Sequence, residues 1–204
     1  AMACFSFHPV KSITTGEGGA VTTNSEDMAK ALRAFRSHGI LKDVIDADWS
    51  YSIEDIGYNY RLTDFQAALG LSQLSRLDEF VDKRNKIAQF YRARLSGHDA
   101  VELPPSGGQG VVHSYHLFTV LVENRNEVLR SLREQGVMAQ VHYPALHTLG
   151  VNSGADAGQG GLTNSKSITN RIISIPSIPD QAVLTIASSS SLEGVNIPGV
   201  STNI

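Results

Sequence analysis

The sequence predicts an α/β protein, and three features of its pattern support that prediction. Apolar and β-branched runs at 3–7 and 20–23 flank a loop rich in glycine and hydroxyl side chains. Amphipathic helices follow, two of them opened by a capping residue. Between 116 and 143 a strand, a helix and a second strand are predicted in turn, which is the element order of a small α/β domain.

Composition limits the classes of function. The chain has 204 residues, 41% of them hydrophobic, which is enough for one or two domains with a sizeable core. A net charge of -3 gives no reason to expect nucleic acid or an anionic membrane as a partner. No run of about eighteen apolar residues and no signal-peptide pattern occur, so a cytoplasmic location is the simplest interpretation. The single cysteine excludes an internal disulfide.

The first elements are predicted from spacing and caps. The strands at 3–7 and 20–23 can pair around the loop between them. A helix then begins at Ser25, whose hydroxyl can cap it, and ends at Gly39. Its apolar face consists of Met28, Leu32 and Phe35. The acidic and aromatic stretch 42–55 shows no sustained period and is predicted to be a loop with functional potential.

Two further helices precede the predicted domain boundary. Thr63 and Gln66 have the spacing of a capping box, and the nearly continuous apolar run 67–71 predicts a helix that is buried or at an interface. A second amphipathic helix is predicted at 78–95. The segment Pro104–Gly108 then breaks the pattern. We therefore predict domains at 1–103 and 104–186, followed by an irregular tail at 187–204.

The second predicted domain has simple elements. A strand is predicted at 116–122, a helix at 126–135 that Gly136 closes, and another strand at 137–143. The stretch 150–161, rich in glycine, alanine and serine, is predicted to be a flexible loop.

Lys11 is the strongest candidate for a functional residue. The apolar run before it delivers one lysine into a loop of hydroxyls and glycines, where its amine can be partly shielded from water. A neutral lysine amine is a nucleophile that forms Schiff bases with carbonyl compounds. The alternative is a surface lysine beside an ordinary glycine-rich turn.

The segment Ser6–Gly19 meets every fixed position of the pattern Ser-Phe-His-Pro-x-Lys-x-x-Thr-x-Gly-Glu-Gly-Gly. In this it resembles the DegT/DnrJ/EryC1/StrS family of pyridoxal-phosphate-dependent sugar aminotransferases. The resemblance extends from about residue 2 to about residue 180. It implies an aspartate-aminotransferase-like fold (fold type I), of which this chain forms the end of the large domain and the small C-terminal domain. It also implies pyridoxal 5'-phosphate as cofactor and Lys11 as its internal-aldimine residue.

Candidate ligands of the cofactor phosphate follow from its charge, since a dianion needs oriented donors. Those donors are the Ser6 hydroxyl, the backbone amides of the glycine-rich loop, and an amide side chain from elsewhere. Ser6 and Asn59 resemble the family's residues for this task, and the resemblance implies that the asparagine comes from a neighbouring subunit, hence a homodimer. The alternative for Asn59 is a side chain that caps a turn.

Three charged or ionisable residues near these candidates allow two interpretations each. Glu17 is either a solvated turn carboxylate or a group near the cofactor phosphate and the lysine. His8 either hydrogen-bonds beneath the loop or acts in the site. Arg61 either binds a carboxylate or diphosphate with both guanidinium nitrogens or is structural.

A downstream element, Val141–His147, resembles the family's His-Tyr-x-x-Leu-His element near the nucleotide-sugar site. The resemblance implies that His142, Tyr143 and Arg61 bind substrate. His142 and His147 could in principle bind a metal ion, but no third ligand of suitable spacing accompanies them, so no metal is expected.

Within the family, the residues around Lys11 are most similar to the transaminases of pseudaminic acid biosynthesis. That resemblance implies transfer of an amino group from glutamate to the C4 ketone of a nucleotide-linked keto-deoxysugar. The family's dehydratases carry histidine at the position of Lys11, so lysine favours amino transfer.

Two departures from the family pattern support an alternative function. The chain lacks the family's upstream segment, which holds the aspartate that pairs with the cofactor's pyridine nitrogen, and from Gln181 onward it does not resemble the family. We therefore expect the C-terminal half of an aminotransferase. The alternative is a truncated, non-catalytic remnant that acts as a dimerisation or sugar-nucleotide-binding module through the helices at 63–95. A Schiff-base aldolase without cofactor is disfavoured, because the loop suits a phosphate better than a bare ketone.

Overall fold

The computed structural model describes residues 1–41, 49–53, 55–152 and 162–177. The chain divides into two compact units, Ala1–Asp78 and Glu79–Ile204. Most of the predicted loop at 150–161 and all of the predicted tail at 187–204 lie outside the described residues. The predicted division between 103 and 104 stays a prediction.

The first unit begins with the two strands that the sequence predicts. Strand β1 (Met2–Ser6) pairs antiparallel with β2 (Gly19–Thr23), so that Ser6 lies opposite Gly19 and the loop between them forms the end of a hairpin. This confirms the predicted pairing around Lys11.

Helix α1 (Glu26–Arg36) follows, and Ser25 caps it by accepting a hydrogen bond from the Met28 amide. The helix ends before Gly39 because both His38 and Gly39 have positive φ angles, 63° and 73°. Two short strands, β3 (Ile40–Leu41) and β4 (Ser52–Ile53), then pair antiparallel, and β4 lies within the stretch 42–55 that was predicted to be a loop. Most of that predicted loop, 42–48 and residue 54, lies outside the described residues.

Helix α2 (Asp64–Leu74) has the predicted capping box between Thr63 and Gln66. Burial of this helix, one of the two predicted outcomes, is not found within the described chain: Phe65 is 89% exposed and Leu71 is 70% exposed. An interface remains the prediction for its apolar face. Among the described residues of the first unit, only Thr15 and Gly39 are buried.

The second unit holds the hydrophobic core. Helix α3 (Leu77–Leu95), which begins just before the division between units, contributes Ile87, Ala88 and Tyr91 to it. The sheet has the order β5 (Val101–Glu102), β6 (Phe118–Val122), β7 (Ile172–Ile175), with antiparallel pairing throughout. Alternate residues of β6 are buried, as expected for a strand with one face on the core. Helices α4 (Arg125–Glu134) and α5 (Thr163–Thr169) complete the unit.

The predicted strand at 137–143 was wrong. Val137 and Ala139 are buried as a strand pattern requires, but only Gln140 forms a bridge, exchanging two backbone hydrogen bonds with Ser174. The Arg133 guanidinium donates to the Ala139 carbonyl at 3.0 Å, and the Ala139 amide donates to the Val137 carbonyl at 2.8 Å, so the chain before Gln140 forms a tight turn and not an extended strand. The sheet of the second unit is antiparallel, and β7 is the strand that completes it beside β6. The mixture of helices and strands is as predicted.

No helix among the described residues is long and apolar enough to cross a lipid bilayer.

Candidate active site

The loop that carries Lys11 is closed by hydrogen bonds at its neck. The Phe7 amide donates to the Gly18 carbonyl at 2.9 Å, and the Phe7 carbonyl accepts from the Thr15 amide at 3.0 Å and the Thr14 hydroxyl at 2.9 Å. Both backbone polar groups of Phe7 are thus used within the loop. Residues 8–14 are held as a compact turn, and Lys11 lies in it with its side chain partly buried.

Two glycines of the loop are required by close packing. A Cβ atom on Gly18 would lie 2.5 Å from the Thr15 hydroxyl oxygen and 2.8 Å from a Leu62 methyl carbon. A Cβ atom on Gly19 would lie 2.6 Å from the Phe5 carbonyl oxygen. All three distances are shorter than a carbon atom tolerates, so these glycines let the backbone pass close to its neighbours.

Helix α2 packs against the same loop. The Gln66 side-chain amide donates to the Glu17 carbonyl at 3.0 Å, and the Thr15 hydroxyl donates to that carbonyl at 2.7 Å. A Cβ atom on Gly70 would lie 2.9 Å from the Thr15 methyl carbon. The sequence indicated the capping role of Gln66 but not this second role, because one side-chain pattern cannot show where its remaining amide donates.

Ser6 and Lys11, both predicted site residues, lie in the same hairpin end. The Ser6 side chain is exposed, and its oxygen accepts a long hydrogen bond of 3.4 Å from the His8 amide, which leaves the hydroxyl proton available to a ligand. The hairpin end therefore offers the Ser6 hydroxyl as a donor and the Lys11 amine on a turn that is closed by hydrogen bonds. This set of groups fits a ligand that combines a phosphate with an aldehyde.

Asn59 and Arg61, the other predicted site residues of the first unit, lie together in a different segment. Asn59 forms an antiparallel bridge with Ser37, just beyond the end of α1. Both side chains are exposed. The structure thus gives two groups of candidates, one in the hairpin loop and one in the segment before α2.

The side chains of His8 and Glu17 form only long or exposed contacts in the lysine loop among the described residues. The His8 imidazole accepts from the Val10 amide at 3.4 Å, and its other nitrogen lies 3.9 Å from the Glu17 carboxylate. The Glu17 side chain is 76% exposed, so this ion pair adds little. These contacts favour the structural interpretation of His8 and the turn interpretation of the Glu17 carboxylate.

His142 and Tyr143 belong to the second unit. The Nδ1 atom of His142 is buried and has no hydrogen-bond partner among the described residues, and burial lowers the pKa of this imidazole. Burial therefore favours the neutral form of this ring. Tyr143 is 61% exposed, with its ring 4.9 Å from that of His142. The other histidine of this element, His147, lies with its Nδ1 atom 3.5 Å from the Ser165 hydroxyl.

No group of three or more histidine, cysteine, aspartate or glutamate side chains is placed to hold a metal ion in the part of the chain that the structure describes.

Comparison with known proteins identifies the family. The model of the DegT/DnrJ/EryC1/StrS aminotransferases matches residues 1–186. The chain belongs to this family. Its aminotransferases depend on pyridoxal phosphate, as the resemblance around Lys11 implied.

Three relatives illustrate the similarity within the DegT/DnrJ/EryC1/StrS family. The chain is 32% identical to the uncharacterized protein MJ1066 of Methanocaldococcus jannaschii, over 86% of this chain and 48% of that protein. It is 38% identical to the UDP-4-amino-4,6-dideoxy-N-acetyl-beta-L-altrosamine transaminase of Campylobacter jejuni, over 70% of this chain and 38% of the enzyme. The structure of Helicobacter pylori PseC, an aminotransferase of pseudoaminic acid biosynthesis, superimposes with a TM-score of 0.77 at 29% identity, covering 93% of this chain and 53% of PseC.

These neighbours confirm the predicted fold class, that of the fold-type I sugar aminotransferases. The chain spans about half the length, or less, of the curated relatives it matches.

Proposed function

We propose that the protein containing this chain transfers an amino group from glutamate to the C4 ketone of a nucleotide-linked keto-deoxysugar. Lys11 is the residue that carries pyridoxal 5'-phosphate, and the assembly is a homodimer. The observation that carries the proposal is the closed loop: hydrogen bonds of Phe7 with Thr15 and Gly18 fix the turn that holds Lys11, and this turn directly follows the strand that ends at Ser6.

The residues have distinct proposed roles. The Ser6 hydroxyl and the Asn59 amide donate to the cofactor phosphate, because both side chains are exposed donors. The Lys11 amine would hold the cofactor through its aldehyde carbon, and as a neutral amine it would move the proton at the carbon that bears the amino group. Bound pyridoxal phosphate supplies the electron sink that makes this proton removable.

Substrate binding is proposed for three residues. Arg61 can bind a diphosphate with two parallel hydrogen bonds. His142, kept neutral by burial, and Tyr143, largely exposed, suit the hydroxyl and carbonyl groups of a sugar. The pseudaminic acid pathway is the proposed context, supported by the names of the Campylobacter jejuni and Helicobacter pylori relatives.

The test is an amino-transfer assay on the complete gene product. With glutamate and a UDP-linked 4-keto-6-deoxy-N-acetylhexosamine, 2-oxoglutarate and the amino sugar form in equal amounts. Lys11→Ala is expected to lower the rate by about 10³-fold or more, because it removes the proton-transfer group. Lys86→Ala is the matched control, since Lys86 is 71% exposed and pairs with Asp82 on the surface of α3. Full activity of Lys11→Ala would refute the proposal.

A second function is favoured by the exposed apolar face of α2. Phe65 and Leu71 are among the most exposed large hydrophobic side chains described, which suits a dimerisation module without catalysis. A complete gene product that forms dimers but neither binds pyridoxal phosphate nor transfers amino groups would support this alternative.

A further inference from the structure

Three aromatic rings pack together beside Asn59. The rings of Tyr58 and Tyr60 stack with their centroids 4.9 Å apart and their planes within 7°. Phe35, from the last turn of α1, contacts both, at 4.9 Å from the Tyr58 ring and 6.0 Å from the Tyr60 ring. These distances lie in the range of favourable ring contacts. We call Phe35, Tyr58 and Tyr60 the aromatic cluster.

The cluster accompanies a set of backbone hydrogen bonds between α1 and the segment of Asn59. The Tyr58 amide donates to the Phe35 carbonyl at 2.7 Å, the Tyr60 amide donates to the Arg36 carbonyl at 2.9 Å, and the His38 amide donates to the Tyr58 carbonyl at 2.9 Å. The segment therefore lies directly along the end of α1. Carbonyls that the helix end leaves without partners are used in this way.

A close backbone contact precedes the cluster. A Cβ atom on Gly57 would overlap the Gly39 amide nitrogen, so only glycine allows these two segments of the backbone to approach this closely. Gly39 itself has a φ of 73°. The stretch 57–60 is thus held at its start by the close contact of Gly57 with Gly39 and at its end by the hydrogen bond from the Tyr60 amide to Arg36.

The direction of Asn59 follows from the ring stack. In an extended segment, side chains of successive residues point to opposite sides, and those of residues two apart point to the same side. Tyr58 and Tyr60 stack on the side of Phe35, so Asn59 projects from the opposite side. Its side chain is exposed, while its backbone forms the bridge with Ser37.

We propose that the aromatic cluster is a positioning device that holds the Asn59 amide ready to bind the cofactor phosphate. The proposal rests on the phosphate role of Asn59 given above. The physical reason is preorganisation: a donor held in place before binding loses less conformational entropy when the ligand arrives. The stacked rings of Tyr58 and Tyr60 restrict the backbone between them, because a change in its dihedral angles would separate the two rings. Phe35, Tyr58 and Tyr60 act through Asn59 and have no proposed contact with the reacting atoms.

The experiment measures pyridoxal phosphate binding by the complete gene product, using absorbance titration for the dissociation constant and phosphorus NMR for the bound phosphate. Tyr60→Leu removes the stack and Tyr60→Phe keeps it. We expect Tyr60→Leu to weaken binding about tenfold, as loss of one hydrogen bond to a charged group would, and to shift the phosphate resonance. Tyr60→Phe should bind as the unaltered protein does.

A double-mutant cycle tests whether the effect passes through Asn59. In an Asn59→Ala background, Tyr60→Leu should change the dissociation constant by less than about twofold, since the donor it positions is already gone. Equal weakening in both backgrounds, or identical binding by Tyr60→Leu and Tyr60→Phe, would overturn the inference. If Tyr60→Leu does not fold, as judged by circular dichroism, Phe35→Leu enters the same cycle with the same expected results.

The proposed function and this inference fail in different ways. If Lys11→Ala and Asn59→Ala both bind pyridoxal phosphate like the unaltered protein, the proposed site is wrong and the cluster has nothing to position. If Asn59→Ala weakens binding and the cluster variants do not, only the positioning inference is lost.

Discussion

The amide nitrogen of Phe7 and the carbonyl oxygen of Gly18 lie 2.9 Å apart, and this hydrogen bond continues the pairing of β1 and β2 into the loop of Lys11. The Phe7 carbonyl in turn accepts from Thr15. The two ends of the loop are therefore held at the spacing of the paired strands. A lysine that must meet a cofactor in one orientation benefits from such a support.

Gly18→Ala should disturb this loop. The added methyl group would overlap the Thr15 hydroxyl and a Leu62 methyl group, and Gly18 has a φ of 152° that alanine adopts poorly. We expect a loss of about 1–3 kcal/mol in the free energy of unfolding and weaker binding of pyridoxal phosphate. Chemical denaturation and cofactor titration measure the two effects. Gly108→Ala is the control, since nothing lies within 4 Å of its added Cβ atom. Equal stability of the two variants would contradict the packing described for Gly18.

Gln66→Glu should separate the two roles of that residue. A glutamate keeps the oxygen that accepts from the Thr63 amide, so the capping box of α2 is preserved. It has no proton to donate to the Glu17 carbonyl, so the contact between α2 and the lysine loop is lost. We expect little change in helix content but weaker cofactor binding, whereas Thr63→Ala should lower stability by about 1 kcal/mol through loss of the cap. Unchanged cofactor binding by Gln66→Glu would show that the contact does not support the loop.

Much of the site was predictable from the sequence because its signals are local. A β-branched run, a glycine-rich turn and a capping box each depend on neighbouring residues, and β1, β2 and α2 were found where those patterns placed them. Contacts between distant residues were not predictable in the same way. The donation from Gln66 to Glu17 joins residues 49 positions apart, and no pattern in either segment indicates it.

The wrong strand at 137–143 has a similar cause. Val137 and Ala139 are buried, but burial does not require a ladder. The Ala139 amide donates to the Val137 carbonyl in a tight turn, and β6 is paired with β7 from far along the chain. Tertiary partners, which a single sequence does not reveal, decided between strand and coil.

Arg84→Met should be strongly destabilising. Arg84 is 4% exposed, and one of its terminal nitrogens donates to the carbonyls of Tyr115, His116 and Ser177, at 3.1, 3.3 and 3.5 Å. Burial lowers the pKa of this guanidinium. Methionine fills similar space but leaves these carbonyls without that donor, so we expect a loss of about 2–4 kcal/mol in the free energy of unfolding. Lys86→Met, at an exposed ion pair, should cost less than about 1 kcal/mol. A cost for Arg84→Met no larger than that of the control would contradict a buried structural role.

His142 should make stability depend on pH. Burial lowers its pKa below the ordinary value of 6.5, so the folded state favours the neutral ring. Its contribution is then complete above that value and is lost as the pH falls toward the lowered pKa. Between about pH 7.5 and about pH 5.5, the unaltered protein should lose more stability than His142→Gln, which does not titrate. Denaturant unfolding at both values measures this, and an NMR titration midpoint of His142 at or above 6.5 would contradict it.

Reductive trapping tests the central claim most directly. The complete gene product is incubated with pyridoxal phosphate, reduced with borohydride, digested and analysed by mass spectrometry. A pyridoxyl group on the peptide that contains Lys11, and no label on the corresponding peptide of Lys11→Ala, is the predicted result. A label on a different lysine, or none on the unaltered protein, would contradict the assignment of Lys11 as the residue that carries the cofactor.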